Sequence, residues 1–416
     1  MTATELRDEG IRIARGDGWI FVALVLFVVG IGEALKAFRT PALLLMVAVT
    51  VIYARDTMLR RQHLPLLLFS VVSLCYVILS YLQAFPIAWT RYYETDAILQ
   101  QASFIAILLP FVAASQKWWE DTRFDVNRDV ALIAVVVAAF LIGAAVDLLL
   151  GSKGVRPFVT LRNYVFIGLL ALSYLAFRSE KWRGPAILTL VILAGWAIWR
   201  GQFLQNTIVY LILTGLLATA IFRVPADRLL LVIILIILAA ATIIGLHDPL
   251  RVFEIDANTG WRLAWWNDVL TATFDTNGIG VGFGTESLRN EYSGVLLRDT
   301  YREEAADFLF VGTHSAFFDI MFRTGLAGFL LLCFVIARCF PAPNMSLAAR
   351  AHCCAMFAIL VLCLHSNLAL QSPMYSLGVA ICIGYLQSER YKSQLAVARH
   401  AEDAPDEPPY AVTMRT

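Results

Sequence analysis

The sequence predicts an all-α, polytopic membrane protein. Three observations lead there: an apolar composition, apolar runs of bilayer length that recur along the chain, and one long polar connection late in it. Of 416 residues, 59% are hydrophobic and 16% charged, against about a quarter charged in ordinary soluble domains. With a mean hydropathy of +0.70, most side chains must face lipid or other apolar helices. The formal net charge of +1 gives no electrostatic reason to expect nucleic acid or a strongly acidic ligand as partner.

A hydrocarbon core of about 30 Å needs roughly 20 helical residues. Apolar runs cover 19–36, 41–54, 64–86, 98–114, 130–150, 160–177, 185–200, 204–222, 228–246, 315–338, 348–370 and 373–388, which makes about twelve spans. Residues 1–18 carry Arg7, Arg12 and Arg15 but lack the small-residue cleavage pattern of a signal peptide, so the first run reads as a retained anchor. With this terminus inside, the cytoplasmic connections receive Arg55, Arg60, Arg61, Lys117, Arg123, Arg128, Arg178, Lys181, Arg183, Arg223, Arg228, Arg338 and Arg350. Lys36, Arg39, Lys153 and Arg156 fall on the other side. An even number of spans returns residues 389–416 to the cytoplasm, where the run Glu402-Asp403-Ala404-Pro405-Asp406-Glu407 reads as a disordered acidic tail. All seven cysteines lie in or beside apolar runs without metal-ligand spacing and read as buried, reduced packing residues.

After the spans of residues 19–246 comes the connection 247–314, between the ninth and tenth spans, which this topology places outside. It holds no lysine and is rich in acids, from Asp248, Glu254 and Asp256 to Glu303, Glu304 and Asp307. The stretch Trp261-Arg262-Leu263-Ala264-Trp265-Trp266 has apolar residues at helical spacing. That pattern predicts a helix along the membrane interface with its aromatics at headgroup depth. Next, Gly278-Ile279-Gly280-Val281-Gly282-Phe283-Gly284 alternates glycine with bulk, which suits a tight turn or a close approach to a ligand. No βαβ unit surrounds this run and no Lys-Ser/Thr pair follows it, so nucleotide binding is not expected and a structural turn is favoured.

Candidate chemistry gathers at the outer ends of the spans. His314 sits where the connection re-enters the membrane at residues 315–388; there an imidazole serves either as a general base or as an interfacial helix cap. Asp319 and Arg323, four apart, suit an intrahelical ion pair. Gly325 and Gly328 would let a neighbouring helix approach. Arg200 ends the seventh span with almost no loop behind it and reads equally as a snorkelling anchor or a phosphate ligand. Glu33, Asp147 and His365 also approach the outer side, as interhelical polar residues or proton-coupling groups.

The order Arg200-Gly201, then Arg262 among tryptophans, then the glycine run with Gly280 and Gly282, then His314-Ser315 with Gly325 and Gly328, resembles the O-antigen ligase and Wzy-type polysaccharide polymerase family. The resemblance covers about the last half of the chain, and Trp199 stands where members commonly have serine. It implies a GT-C type fold and a multi-pass glycosyltransferase of the bacterial inner membrane. Such an enzyme takes a glycan from undecaprenyl diphosphate at the periplasmic face, needing neither metal nor other cofactor. It implies that Arg200 and Arg262 hold the diphosphate and that His314 activates the acceptor hydroxyl, which belongs to a glycan or a lipid A-core. Export or chain-length proteins are further implied partners. A secondary transporter or lipid-linked glycan flippase also suits many spans with scattered charges, although its halves often join after the sixth span and not the ninth.

Overall fold

The computed structural model describes residues 39–85, 95–120, 128–138, 141, 163–200, 204–285, 313–366 and 373–402. The expected first span, 19–36, together with Glu33 and Asp147, lies outside the described residues. What is described is 85% helix with no strand. In chain order the labelled helices are α1 (Arg39–Met58), α2 (Leu64–Tyr81), α3 (Thr95–Glu120), α4 (Asn163–Arg178), α5 (Arg183–Arg200) and α6 (Leu204–Ile221). There follow α7 (Asp227–His247), α8 (Pro249–Ile255), α9 (Ala257–Asp275), α10 (Ala316–Ala337), α11 (Leu347–Ser366) and α12 (Pro373–Glu402). A 3-10 turn, Arg61–His63, leads into α2, and Pro65 and Pro249 stand in the first turns of α2 and α8, where a missing N–H leaves no bond unmade.

Among the described residues, four helical stretches are long and apolar enough to cross a membrane: Arg61–Tyr81, α7, α10 and α11. The apolar segments Gly168–Arg178, Arg183–Gly195 and Ile208–Ile221 are shorter. On α7 the exposed residues include Leu229, Ile233, Ile236, Ile237, Ile243 and Ile244. A helix so apolar on its open face is stable only where hydrocarbon covers it.

The core runs through α11, where every residue from Ala351 to Leu360 is buried. α3 and α12 approach at Gly384, where an added Cβ would stand 2.6 Å from both the Val112 carbonyl oxygen and the Ser115 Cβ. The Ser115 hydroxyl donates to the Ile381 carbonyl at 3.1 Å across the same crossing. All seven cysteines are free. Five are buried, Cys333 is half-buried, and Cys75, expected in the interior, is exposed on α2, a position that a small apolar thiol tolerates against lipid.

The two ends of the bundle differ in chemistry. At one end Arg60 pairs with Glu120 (2.6 Å), Arg178 with Glu389 (3.2 Å) and Arg350 with the fully buried Asp227 (2.7 Å). Past the apolar run 373–388, α12 continues as helix to Glu402. Its extension is fastened by Arg390 donating to the Arg338 carbonyl (2.6 Å) and Asn344 to the Ser393 carbonyl (3.3 Å). At the other end meet the last turns of α7 and α11, the start of α10, and α9.

The tryptophans of α9 also depart from expectation. Trp261, Trp265 and Trp266 are 2%, 1% and 4% exposed. Trp261 and Trp265 form a second core with Val269, Val281, Met321 and Phe322, so they pack α9 onto α10 and are covered by protein. The helical spacing was legible, but α10 covers the apolar face that lipid was expected to cover.

Candidate active site

His314 stands immediately before α10 with φ +58°, in the left-handed region that non-glycine residues seldom enter. Its neighbours enforce this. The Thr313 N–H donates to Asp319 Oδ1 (2.7 Å), the Thr313 carbonyl accepts from the Trp266 indole (2.8 Å), and the Thr313 hydroxyl donates to the Ser315 carbonyl (3.1 Å). The Ser315 hydroxyl reaches the Leu364 carbonyl on α11 at 3.4 Å. A left-handed histidine costs of order 1–3 kcal/mol and persists where its surroundings over-determine it, a pattern that concentrates at functional positions.

The imidazole meets Trp261 at 5.5 Å and Trp265 at 6.3 Å, both near perpendicular, and the residue keeps solvent-accessible surface. The Arg262 guanidinium lies over the same Trp261 ring at 5.6 Å and donates to the Ser366 carbonyl, in the last turn of α11, at 3.3 Å. A cation there is favoured by the helix dipole. Burial first, and the Arg262 charge second, push the His314 pKa down to about 4. The ring is therefore neutral at physiological pH and offers a lone pair. Thus α9 and the start of α10 bring Arg262 and His314 to one place.

His365 forms the wall behind Arg262. Its Nε2 is 2.8 Å from the Thr242 hydroxyl of α7 and its Nδ1 is 2.7 Å from the Ser366 hydroxyl. Trp266 completes the wall, stacked on Phe318 at 4.8 Å and edge-on to His365 at 5.0 Å. Arg200 is the last residue of α5, which runs away from the Arg178 end over 18 residues, or about 27 Å. Its backbone thus reaches the same end as His314, and its side chain lies outside the described residues.

Gly278, Gly280, Gly282 and Gly284 all have φ between +77° and +85°, and their segment docks on a break in α10. At Gly325 (φ +65°, ψ −163°) the helix is interrupted. The Leu326 N–H turns to the Gly278 carbonyl (2.8 Å), and the Phe322 and Arg323 carbonyls accept instead from Val281 (2.8 Å) and Gly282 (3.0 Å). The remaining amides of the run are also engaged: Gly280 donates to Thr276, Phe283 to Ser80 and Gly284 to Gln101. With each N–H from Gly280 to Gly284 committed to a protein acceptor, the run is a backbone clasp. It offers no row of amides to a phosphate.

Arg323, fully buried, donates to the Gly282 carbonyl (3.3 Å) and the Thr285 hydroxyl. Asp319 reaches back to Thr313. The pair expected to serve each other therefore fastens the clasp and the turn holding His314. Asp319 and Trp266 are the site residues that sequence reasoning assigned elsewhere, to an ion pair with Arg323 and to the membrane interface, whereas His365 stands at the same end as His314, as expected.

A scan of protein-family models and a search of curated proteins return no match to this chain.

Proposed function

We propose that this chain is a membrane glycosyltransferase that moves a glycan from a polyprenyl diphosphate to an acceptor sugar hydroxyl. On this reading it has about twelve spans arranged in the GT-C manner, its cation-rich end lies in the bacterial cytoplasm and its His314 end faces the periplasm. The observation that carries the reading is a neutral histidine, held in a strained backbone beside a guanidinium, at the end of the bundle opposite the cations.

The acceptor oxygen attacks the anomeric carbon as His314 takes its proton, and the lipid diphosphate leaves with the electrons of the broken C–O bond, inverting the centre. Arg262, joined by Arg200, meets the charge that grows on the leaving group and stabilises it more as the bond breaks. A base of pKa about 4 is weak in the empty site. The incoming diphosphate cancels the Arg262 field, the smaller of the two causes that lower the histidine's basicity, and so acts to raise it.

Reconstitution with an undecaprenyl diphosphate-linked oligosaccharide and candidate acceptors tests the proposal. His314→Ala is expected to lower the rate by at least about 10²-fold, with Arg262→Ala and Arg200→Ala also defective. Product length separates a polymerase from a ligase to lipid A-core. Undiminished product from His314→Ala would remove this site. Movement of lipid-linked glycan across sealed vesicles without a new glycosidic bond would establish the flippase instead.

A further inference from the structure

A cavity of about 360 Å³ opens at the end of the bundle opposite His314, between residues 128–129, the last turn of α4 and the extension of α12. In a chain this apolar its wall is unusual, being formed almost wholly by polar side chains. Three cations, Arg128, Arg178 and Lys392, face it together with three carboxylates, Asp129, Glu180 and Glu389. Glu389 sits between Arg178 (3.2 Å) and Lys392 (3.0 Å), and Asp129 accepts from the Ser179 hydroxyl at 2.5 Å. Arg128, only 6% exposed, rests on the faces of Trp118 (5.2 Å) and Trp119 (5.4 Å), which fix it at the cavity wall.

The balance of signs decides the ligand class. A bare anion would meet as many carboxylates as cations, and a bare cation the reverse, whereas a zwitterion satisfies both. The cavity lies between helices at the end of the bundle, the level at which lipid headgroups lie on the proposed topology, and a volume of this size holds a small ligand. We infer that this cavity binds a phosphoethanolamine group, its phosphate on Arg128, Arg178 and Lys392 and its ammonium on Glu180 and Asp129. The inference is independent of the chemistry at His314.

The test is native mass spectrometry of the full chain in detergent, titrated with phosphatidylethanolamine, phosphatidylglycerol or phosphatidylcholine, with soluble phosphoethanolamine as competitor. Phosphatidylethanolamine is expected to bind best. Lys392→Gln should weaken it about fivefold. Glu180→Gln should erase its advantage over phosphatidylglycerol. Lys392 and Glu180 reach the surface, so both variants should keep the parent's helical melting curve. Competition by soluble phosphoethanolamine would identify the headgroup alone as the ligand; its failure to compete, with selective lipid binding intact, would identify the lipid. Equal retention of all three lipids, or retention unchanged in both variants, overturns the inference.

Discussion

At His314 a strained φ, an adjacent guanidinium and a low pKa are one arrangement, because the turn that strains the backbone also seats the ring against α9 beside Arg262. Arg262→Gln removes a positive neighbour, so the His314 pKa should rise from about 4 toward its ordinary 6.5. An NMR titration of the imidazole in the full chain measures this, and a pKa that stays put or falls would contradict it. The folded-state pKa lies below the unfolded one, so between pH 6.5 and 4 the unfolded chain binds a proton that the folded chain refuses. Stability from this group is full above about pH 6.5 and is lost as pH falls through that window, and His314→Gln should flatten the slope in thermal melts. In the sequence, His314 and Arg262 are picked out by the resemblance of their motif order to the O-antigen ligase and polymerase family, since the imidazole alone reads as readily as a helix cap. The sequence hid Trp266 and Asp319, since an indole reaching the Thr313 carbonyl and a carboxylate reaching back six residues depend on a left-handed turn that no periodicity signals.

Among elements, the clasp between the glycine run and α10 is the most demanding. A Cβ at Gly280 would lie 2.5 Å from the Gly325 nitrogen and 2.8 Å from the Phe322 oxygen, and φ there is +85°. Gly280→Ala therefore combines a backbone clash with conformational strain of about 1–3 kcal/mol. At Gly278 the nearest atom is the Leu326 Cδ1, at 2.9 Å, the tip of a movable side chain. Thermal denaturation should therefore rank Gly280→Ala well below Gly278→Ala. Hydrogen exchange should find the amides of 280–284 protected in the parent and released in Gly280→Ala; equal exchange in both would mean the clasp does not hold the run. The alternation of glycines was readable as backbone freedom, but its partner was not. Gly325 reads in sequence as a surface for a neighbouring helix, whereas the structure uses it to break α10 and free two carbonyls for a segment more than 40 residues earlier.

Over the whole molecule, several apolar runs match the helix bounds, as with 228–246 against Asp227–His247 and 315–338 against Ala316–Ala337, while α3 and α12 run past the apolar 98–114 and 373–388 to Glu120 and Glu402. Hydrophobic length dictates both, whereas which helices touch depends on shape that one sequence does not display. Asp227 shows what the packing demands: it is wholly buried, and Arg350 holds both its oxygens, at 2.7 and 3.0 Å. Arg350→Ala strands that carboxylate and should cost about 3–5 kcal/mol in chemical denaturation. Orientation is testable with Asn267→Cys and Ser346→Cys, both at exposed positions near opposite ends. An impermeant thiol reagent added to intact cells should label the first and spare the second, measured against the unsubstituted chain; the reverse pattern would invert the topology. The break at Gly325 has a consequence for how this protein can change over generations. Two distant stretches share one set of main-chain bonds, so a lineage that lost glycine at either place would have to rebuild both together, and single-step drift there should be a dead end.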